Sequence, residues 1–309
     1  MGNLVTFVKQ SFPPKPKWTA ENMPDLGGKI ALVTGGNTGI GKETVKALLQ
    51  HNAKVYLAAR SADRAAQAIK DLKAATGKEA IFLKLDLSDL VSVRKAAEEL
   101  LSKEHTLHIL INNAGVMQAP MDYLTVQGYD MQLGTNVLGH YFFTTLLLPA
   151  LQAASATGGK ARVVNTSSFA AYMGNSIHYD AVKDGPARRK LASTDLYWIS
   201  KLGNALFMRE MAKRYGDKIV STAVNPGNLQ TELARHMPAW QQVAIKMILY
   251  PAPMGAITQL WAGTAPEAAE FNGKFLVPWA REGPMPAGAK DPAAAEKLWA
   301  WLEEQCKGY

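Results

Sequence analysis

The chain has 309 residues, 48% hydrophobic and 19% charged, enough to bury a sizeable core, so disordered, collagenous and coiled-coil architectures are excluded. Lysine and arginine outnumber acids 34 to 26, for a net charge of +8. The excess is scattered, densest at Lys15 with Lys17 and at Arg188-Arg189-Lys190; without interleaved aromatics or a basic helix face, nucleic acid is not an expected partner.

Residues 1–27, with Pro13, Pro14, Pro16 and Pro24, read as an N-terminal arm, either an extended wrap or a loose tail. Its start is too short in apolar residues for a secretory signal; Gly2 with Thr6 fits a short myristoylation pattern that often arises by accident. From residue 28 one rhythm repeats, a short apolar run followed by a longer amphipathic stretch, as in βαβ units. The runs at 29–34, 54–59, 80–85, 107–112, 161–167, 218–224 and 274–277 are near-continuously apolar, as strands covered on both faces must be. Helical stretches at 39–51, 61–75, 88–104, 126–152 and 195–216 separate them. These alternations predict one α/β domain over 28–309, a Rossmann-like doubly wound fold with a seven-stranded parallel sheet and helices on both faces. Residues 131–159 lack charge but contain Asn136, His140 and Pro149, which suits a buried helix better than a membrane span. Residues 232–259, with Leu233, Met237, Trp240 and Val243, read as a substrate lid, with packing on the sheet or a weak membrane-facing patch as open alternatives. A helix over 291–305, capped by Asp291 with Pro292 at its first position, closes the chain. The lone cysteine, Cys306, permits no internal disulfide and fits a reducing, cytoplasmic setting; the scattered histidines offer no metal set.

Chemistry enters after the first strand, at Thr34-Gly35-Gly36-Asn37-Thr38-Gly39-Ile40-Gly41. Glycines there allow close backbone approach, and the amides opening the next helix can face a pyrophosphate. Strand, glycines, helix and second strand in that order predict dinucleotide binding. The second strand ends on Ala59 and Arg60. With no carboxylate to bond a ribose 2′-hydroxyl and a guanidinium in its place, NADP(H) is favoured over NAD; a solvated arginine is the plain alternative.

The Gly-x3-Gly-x-Gly spacing, Asn112-Asn113-Ala114-Gly115 after the fourth strand, and Asn136, Ser168, Tyr197 and Lys201 in that order resemble the short-chain dehydrogenase/reductase family, in its retinol-dehydrogenase-like and fungal branches, over about residues 28–280. The resemblance implies that Asp86 and Leu87 lie beside the adenine, and that Asn113, Ala114 and Gly115 line the cofactor. Pro226, Gly227, Leu229 and Thr231 would hold the nicotinamide end. It further implies that Ser168 bonds the reacting carbonyl, Lys201 holds the nicotinamide ribose, and Asn136 positions a water. Tyr197 becomes the general acid/base, because a cation four residues on along a helix, with an oxidised nicotinamide, favours the phenolate.

Tyr179 and Lys183 share the same spacing, 11 residues after Ser168 rather than 29. Asp184-Gly185-Pro186 would stop a helix there, whereas Lys201 leads into a long helical run, so Tyr197 is preferred. The interval before it reads as an insertion forming substrate wall with Tyr172, Met173 and Tyr179, and Trp240 joins from the lid. Ser167 stays open as an alternative to Ser168. The expected activity is NADP(H)-dependent hydride transfer on an apolar aldehyde, ketone or alcohol; a catalytically silent NADP(H)-binding regulator is the competing reading. No transmembrane span is expected, peripheral membrane contact is left open, and a homodimer and a monomer are both compatible with the helices at 126–152 and 195–216.

Overall fold

A computed structural model describes residues 2–157, 159–229 and 249–309. The apolar runs form β1 (Ile30–Thr34), β2 (Lys54–Ala59), β3 (Ile81–Lys84), β4 (Ile109–Asn112), β5 (Ala161–Thr166), β6 (Ile219–Val224) and β7 (Phe275–Val277). Among the described residues the sheet has eight strands rather than seven, in the order β3-β2-β1-β4-β5-β6-β7-β8. The addition, β8 (Arg281–Gly283), runs antiparallel to β7. Its Arg-Glu-Gly sequence carries no apolar signal; pairing with β7 and a Lys274–Glu282 contact at 2.7 Å hold it.

α1 (Gly2–Ser11) precedes the sheet and α10 (Pro292–Gln305) follows it; between the strands lie α2 (Gly39–Gln50), α3 (Ala62–Thr76), α4 (Leu90–Lys103), α5 (Met131–Leu146), α6 (Leu148–Ala153), α7 (Pro186–Arg189), α8 (Ser193–Tyr215) and α9 (Ala252–Thr264). Successive strand side chains alternate between two cores. Ala31, Val33, Ile109 and Ile111 pack beneath α2, α3 and α9, while Leu32, Leu110 and Val163 pack beneath α4, α5, α8 and α10. Because β1 is flanked by β2 on one side and β4 on the other, the winding reverses there and opens a crevice at the carboxyl ends of the strands.

The structure changes the reading of the arm and, for the end of the 232–259 stretch, selects the packing alternative. The arm is neither simply extended nor loose: its first residues form α1, whose Gln10 and Ser11 are buried. The last part of the expected lid, 252–259, belongs to α9, where Ile257, Thr258 and Gln259 are buried against the sheet; residues 230–248, including most of that lid, lie outside the described residues. Among the described residues no single helix is long and apolar enough to cross a membrane. The pair Met131–Leu146 and Leu148–Ala156 meets that test together, but it bends by 57° and its Val137, Leu138, Phe143 and Leu151 are buried in the core.

Candidate active site

The glycine turn sits at the crevice, between β1 and α2. Gly35 and Gly39 have φ of +66° and +51°, a region that non-glycine residues enter at a cost. A Cβ on Gly41 would stand 2.2 Å from the Gly35 carbonyl oxygen and 2.6 Å from Asn113 Nδ2. Only a bare backbone fits, and Thr38, the N-cap of α2, makes no side-chain cap bond to the helix amides. Asn37 and Ile40 are half-buried beside it. This backbone cradle at a helix N-terminus fits a pyrophosphate. Asn113 ties the cradle to β4: its Nδ2 donates to the Thr34 carbonyl at 2.8 Å, and the amides of Asn113 and Ala114 both donate to Thr34 Oγ1 at 2.9 Å.

On the other side of the crevice the four expected catalytic residues converge. Tyr197 and Lys201 lie on α8, and both are buried. Burial pushes the Tyr197 phenol up to about 12, opposed only in part by the neighbouring Ser168 hydroxyl. Lys201 lies with Nζ 5.7 Å from the Tyr197 ring centroid and donates to the Thr166 carbonyl at 2.9 Å. Burial brings its ammonium down to about 8. Within the protein alone, then, desolvation sets the phenol, and Lys201 does not supply the expected lowering. Ser167 and Ser168 separate cleanly. Ser167 is buried and donates to the Lys201 carbonyl at 2.7 Å, whereas Ser168 is half-exposed, caps the turn Phe169–Tyr172 and meets Tyr197.

Asn136 stands in a π-helical turn, Gly134–Gly139, within α5, a distortion that often marks functional positions. Its side chain brackets Val116, accepting from the amide at 2.8 Å and donating to the carbonyl at 3.0 Å, and it also donates to Ser200 Oγ. A Cβ on Gly115 would lie 3.2 Å from Asn136 Oδ1 and 3.5 Å from Lys201 Nζ. The small residue therefore keeps the floor between them open.

Several residues here had no clear sequence signal. His140 is fully buried, with Nε2 2.9 Å from Thr34 Oγ1 and Nδ1 3.0 Å from the Asn136 carbonyl. Thr34 Oγ1 already accepts two amides, so its proton goes to Nε2 and the imidazole donates through Nδ1–H. Desolvation takes its pKa from 6.5 down to about 4. Below pH 6.5 the unfolded chain binds a proton that the folded chain does not, so stability present at neutral pH is lost as pH falls through this window, by up to about 3 kcal/mol. Urea midpoints measured from pH 7 towards pH 4 should fall less steeply for His140→Gln than for the parent; parallel slopes would refute the assignment. Gln259 is a second strut, accepting from Thr166 Oγ1 at 3.1 Å and donating to Thr44 Oγ1 and, at 3.4 Å, to Asn113 Oδ1.

Other expected positions fall around this centre. Arg60 is exposed at the end of β2. Asp86 follows β3 and accepts from the amide and hydroxyl of Ser88 at 3.0 and 2.6 Å; the helix cap nearby is Asp89 instead. Leu87 is buried beside it. Beyond β6, the Gly227 amide donates to Asn225 Oδ1 at 3.0 Å in the Pro226-Gly227 turn. Leu229 and Ile40 both close on Gly255 of α9, where a Cβ would meet them at 2.3 and 3.0 Å. Thr231 and Trp240 lie outside the described residues.

The insertion residues do not gather as a wall. Tyr172 is buried, its hydroxyl donating to the Pro284 carbonyl at 2.6 Å and its ring against Phe275, so its place is in the core. Met173 is 40% exposed. Tyr179, in a single turn, packs on Trp301 at 5.8 Å and under Lys297, while Lys183 forms a bridge with Tyr129. Tyr179 and Lys183 therefore share no helix face. Arg188, of the basic run Arg188-Arg189-Lys190, is 2% exposed and pairs with Asp130 at 3.0 Å.

Among the described residues no group of three or more histidine, cysteine or acidic side chains is placed to hold a metal. A family model described as short chain dehydrogenase matches residues 29–242. The chain is 60% identical, over the whole of both sequences, to a short-chain dehydrogenase/reductase of Armillaria gallica. It is also similar to the Pseudomonas aeruginosa RhlG structure in complex with NADP, at 28% identity and TM-score 0.63, covering 86% of this chain and 97% of that one. A 3-ketoacyl-(acyl-carrier-protein) reductase from Brucella melitensis, complexed with NADH, matches at 25% identity and TM-score 0.64, covering 82% and 96%. The glycine cradle, the Tyr197–Lys201 helix face and these similarities together make the chain a member of the short-chain dehydrogenase family of oxidoreductases.

Proposed function

We propose that the protein is an NADP(H)-dependent oxidoreductase acting on an apolar aldehyde, ketone or the corresponding alcohol, with Tyr197 as its general acid/base. The observation that carries this reading is the shared burial of Tyr197 and Lys201, one turn apart on α8, with Lys201 Nζ 5.7 Å from the Tyr197 ring centroid and donating to the carbonyl of Thr166, two residues before Ser168. Gly35, Asn37, Thr38, Gly39, Ile40 and Gly41 would hold the pyrophosphate, Arg60 the 2′-phosphate, and Asp86 and Leu87 the adenine. Asn113, Ala114 and Gly115, with Pro226, Gly227 and Leu229, would hold the nicotinamide half. When bound, the nicotinamide supplies or accepts the hydride.

The chain's own residues handle the proton. Ser168 orients the carbonyl oxygen towards Tyr197. In reduction the Tyr197 O–H bond breaks, its proton passes to that oxygen, and the phenolate left behind faces the Lys201 ammonium. A phenol held at about 12 by burial stays protonated at neutral pH, which suits the donor role. Asn136, braced by Val116 and Ser200, keeps the space beside Lys201 open. A regulator without turnover would have no need of this set.

The test is oxidation of NADPH against NADH over a panel of medium-chain, aromatic and isoprenoid aldehydes and ketones. NADPH should be preferred. Arg60→Asp should shift the ratio of kcat/KM values towards NADH by roughly tenfold or more, about 1.4 kcal/mol. An unchanged ratio would transfer the choice to another group, and cofactor binding without turnover on every carbonyl would leave the regulatory reading standing.

A further inference from the structure

Helix α1 has two unlike faces. Phe7, Gln10 and Ser11 form one. Phe7 packs edge-on against Phe169, the residue after Ser168, at a centroid distance of 5.1 Å. Gln10 Oε1 accepts from Asn225 Nδ2 at 2.7 Å, and Ser11 Oγ accepts from Asn228 Nδ2 at 3.0 Å, so this face is latched to the turn beyond β6. At 100° per residue, Val5, Val8 and Phe12 centre about 140° away. Phe12 keeps helical register by donating its amide to the Val8 carbonyl at 2.9 Å. These three side chains are 51%, 49% and 60% exposed. With Phe7 they make up half of the large apolar side chains that are exposed among the described residues, within one eight-residue stretch.

The same end of the chain is purely cationic. Lys9, Lys15 and Lys17 are exposed, and no aspartate or glutamate occurs before Glu21. An apolar helix face flanked by lysines matches the boundary of an anionic bilayer, where rings and aliphatic chains enter among the acyl chains and ammonium groups meet lipid phosphates. A second copy suits it less well, because a two-fold contact through this face would bring like charges together.

We infer that α1 docks the protein on an anionic membrane surface, with Val5, Val8 and Phe12 inserted at the interface and Lys9, Lys15 and Lys17 on the headgroups. Because the opposite face rests on Phe169 and on the Asn225–Asn228 turn, docking sets the mouth of the site beside the lipid. An apolar substrate dissolved in the bilayer would then enter without crossing water. That last point rests on the proposed substrate class; the docking does not.

The test is co-sedimentation of the full chain, produced without N-terminal acylation, with vesicles of phosphatidylcholine alone or rich in phosphatidylserine. Binding should need phosphatidylserine and weaken as salt is raised. Val8→Asp/Phe12→Asp and, separately, Lys9→Glu/Lys15→Glu/Lys17→Glu should each lower the bound fraction roughly tenfold or more, with Tm unchanged because all five side chains are exposed. No binding to anionic vesicles, equal binding to neutral ones, or binding that survives both variants would overturn the inference. So would a concentration-dependent dimer in light scattering that Val8→Asp/Phe12→Asp abolishes, since a second copy would then cover the face. Sedimentation needs no turnover, so its outcome is separate from that of the activity panel.

Discussion

Tyr197→Phe should lower kcat for NADPH-dependent carbonyl reduction by about 10²- to 10⁴-fold, the range supplied by a positioned general acid, while leaving NADPH affinity within a few-fold. The ring keeps its packing on α8 and only the hydroxyl that meets Ser168 is lost. Tyr179→Phe should change kcat by less than about twofold, because that side chain packs on Trp301 and Lys297 of α10. Single-turnover absorbance of the reduced cofactor separates the two. The serines should divide in parallel. Ser168→Ala removes the partner of Tyr197 and lowers kcat, whereas Ser167→Ala removes a buried bond to the Lys201 carbonyl and should chiefly cost stability, about 1 kcal/mol. Activity lost in Tyr179→Phe and kept in Tyr197→Phe would overturn the assignment.

Arg188→Met should destabilise the fold by about 3–5 kcal/mol, the usual cost of stripping one partner from a buried ion pair. Arg188 Nε bonds Asp130 Oδ2 at 3.0 Å, and its guanidinium also donates to the carbonyls of Met121 and Tyr123. Asp130 in turn accepts from the amides of Gln132 and Leu133 through Oδ1, both at 3.0 Å, and so caps the helix that carries Asn136. One carboxylate thus joins the insertion before Tyr197 to the segment that holds Asn136, and activity should fall with stability. Arg188→Met/Asp130→Asn should recover a large part of the loss, since the asparagine oxygen can still cap while no carboxylate is left unpaired. Denaturant midpoints and slopes of the single and double variants give the coupling. A loss below about 1 kcal/mol in the single variant would show that Arg188 contributes no more than an exposed surface pair.

Legibility from sequence followed the range of the interaction. The seven apolar strands, the glycine turn and the Tyr197 helix are local patterns. Each depends on residues within one element, such as continuous Val, Ile and Leu where both faces are covered, or Asp184-Gly185-Pro186 stopping any helix that would run on through Tyr179 and Lys183. Helix α1 was hidden by the prolines that follow it, and its fixing contacts, Gln10 to Asn225 and Ser11 to Asn228, span more than 200 residues. The strand β8 was hidden for a related reason: Arg281-Glu282-Gly283 becomes a strand only because β7 offers it an edge.

The amino-acid sequence by itself therefore determined the doubly wound class, the glycine turn and the long helix that carries Tyr197 with Lys201, because period, glycine placement and helix stops are written in consecutive residues. Tertiary structure alone decided that Ser168 and not Ser167 meets Tyr197, that Tyr172 belongs to the core, and that His140 and Arg188 are buried struts. Each of those outcomes depends on which distant group fills a hydrogen bond or displaces water, and a residue's type carries no record of the partner that folding brings to it.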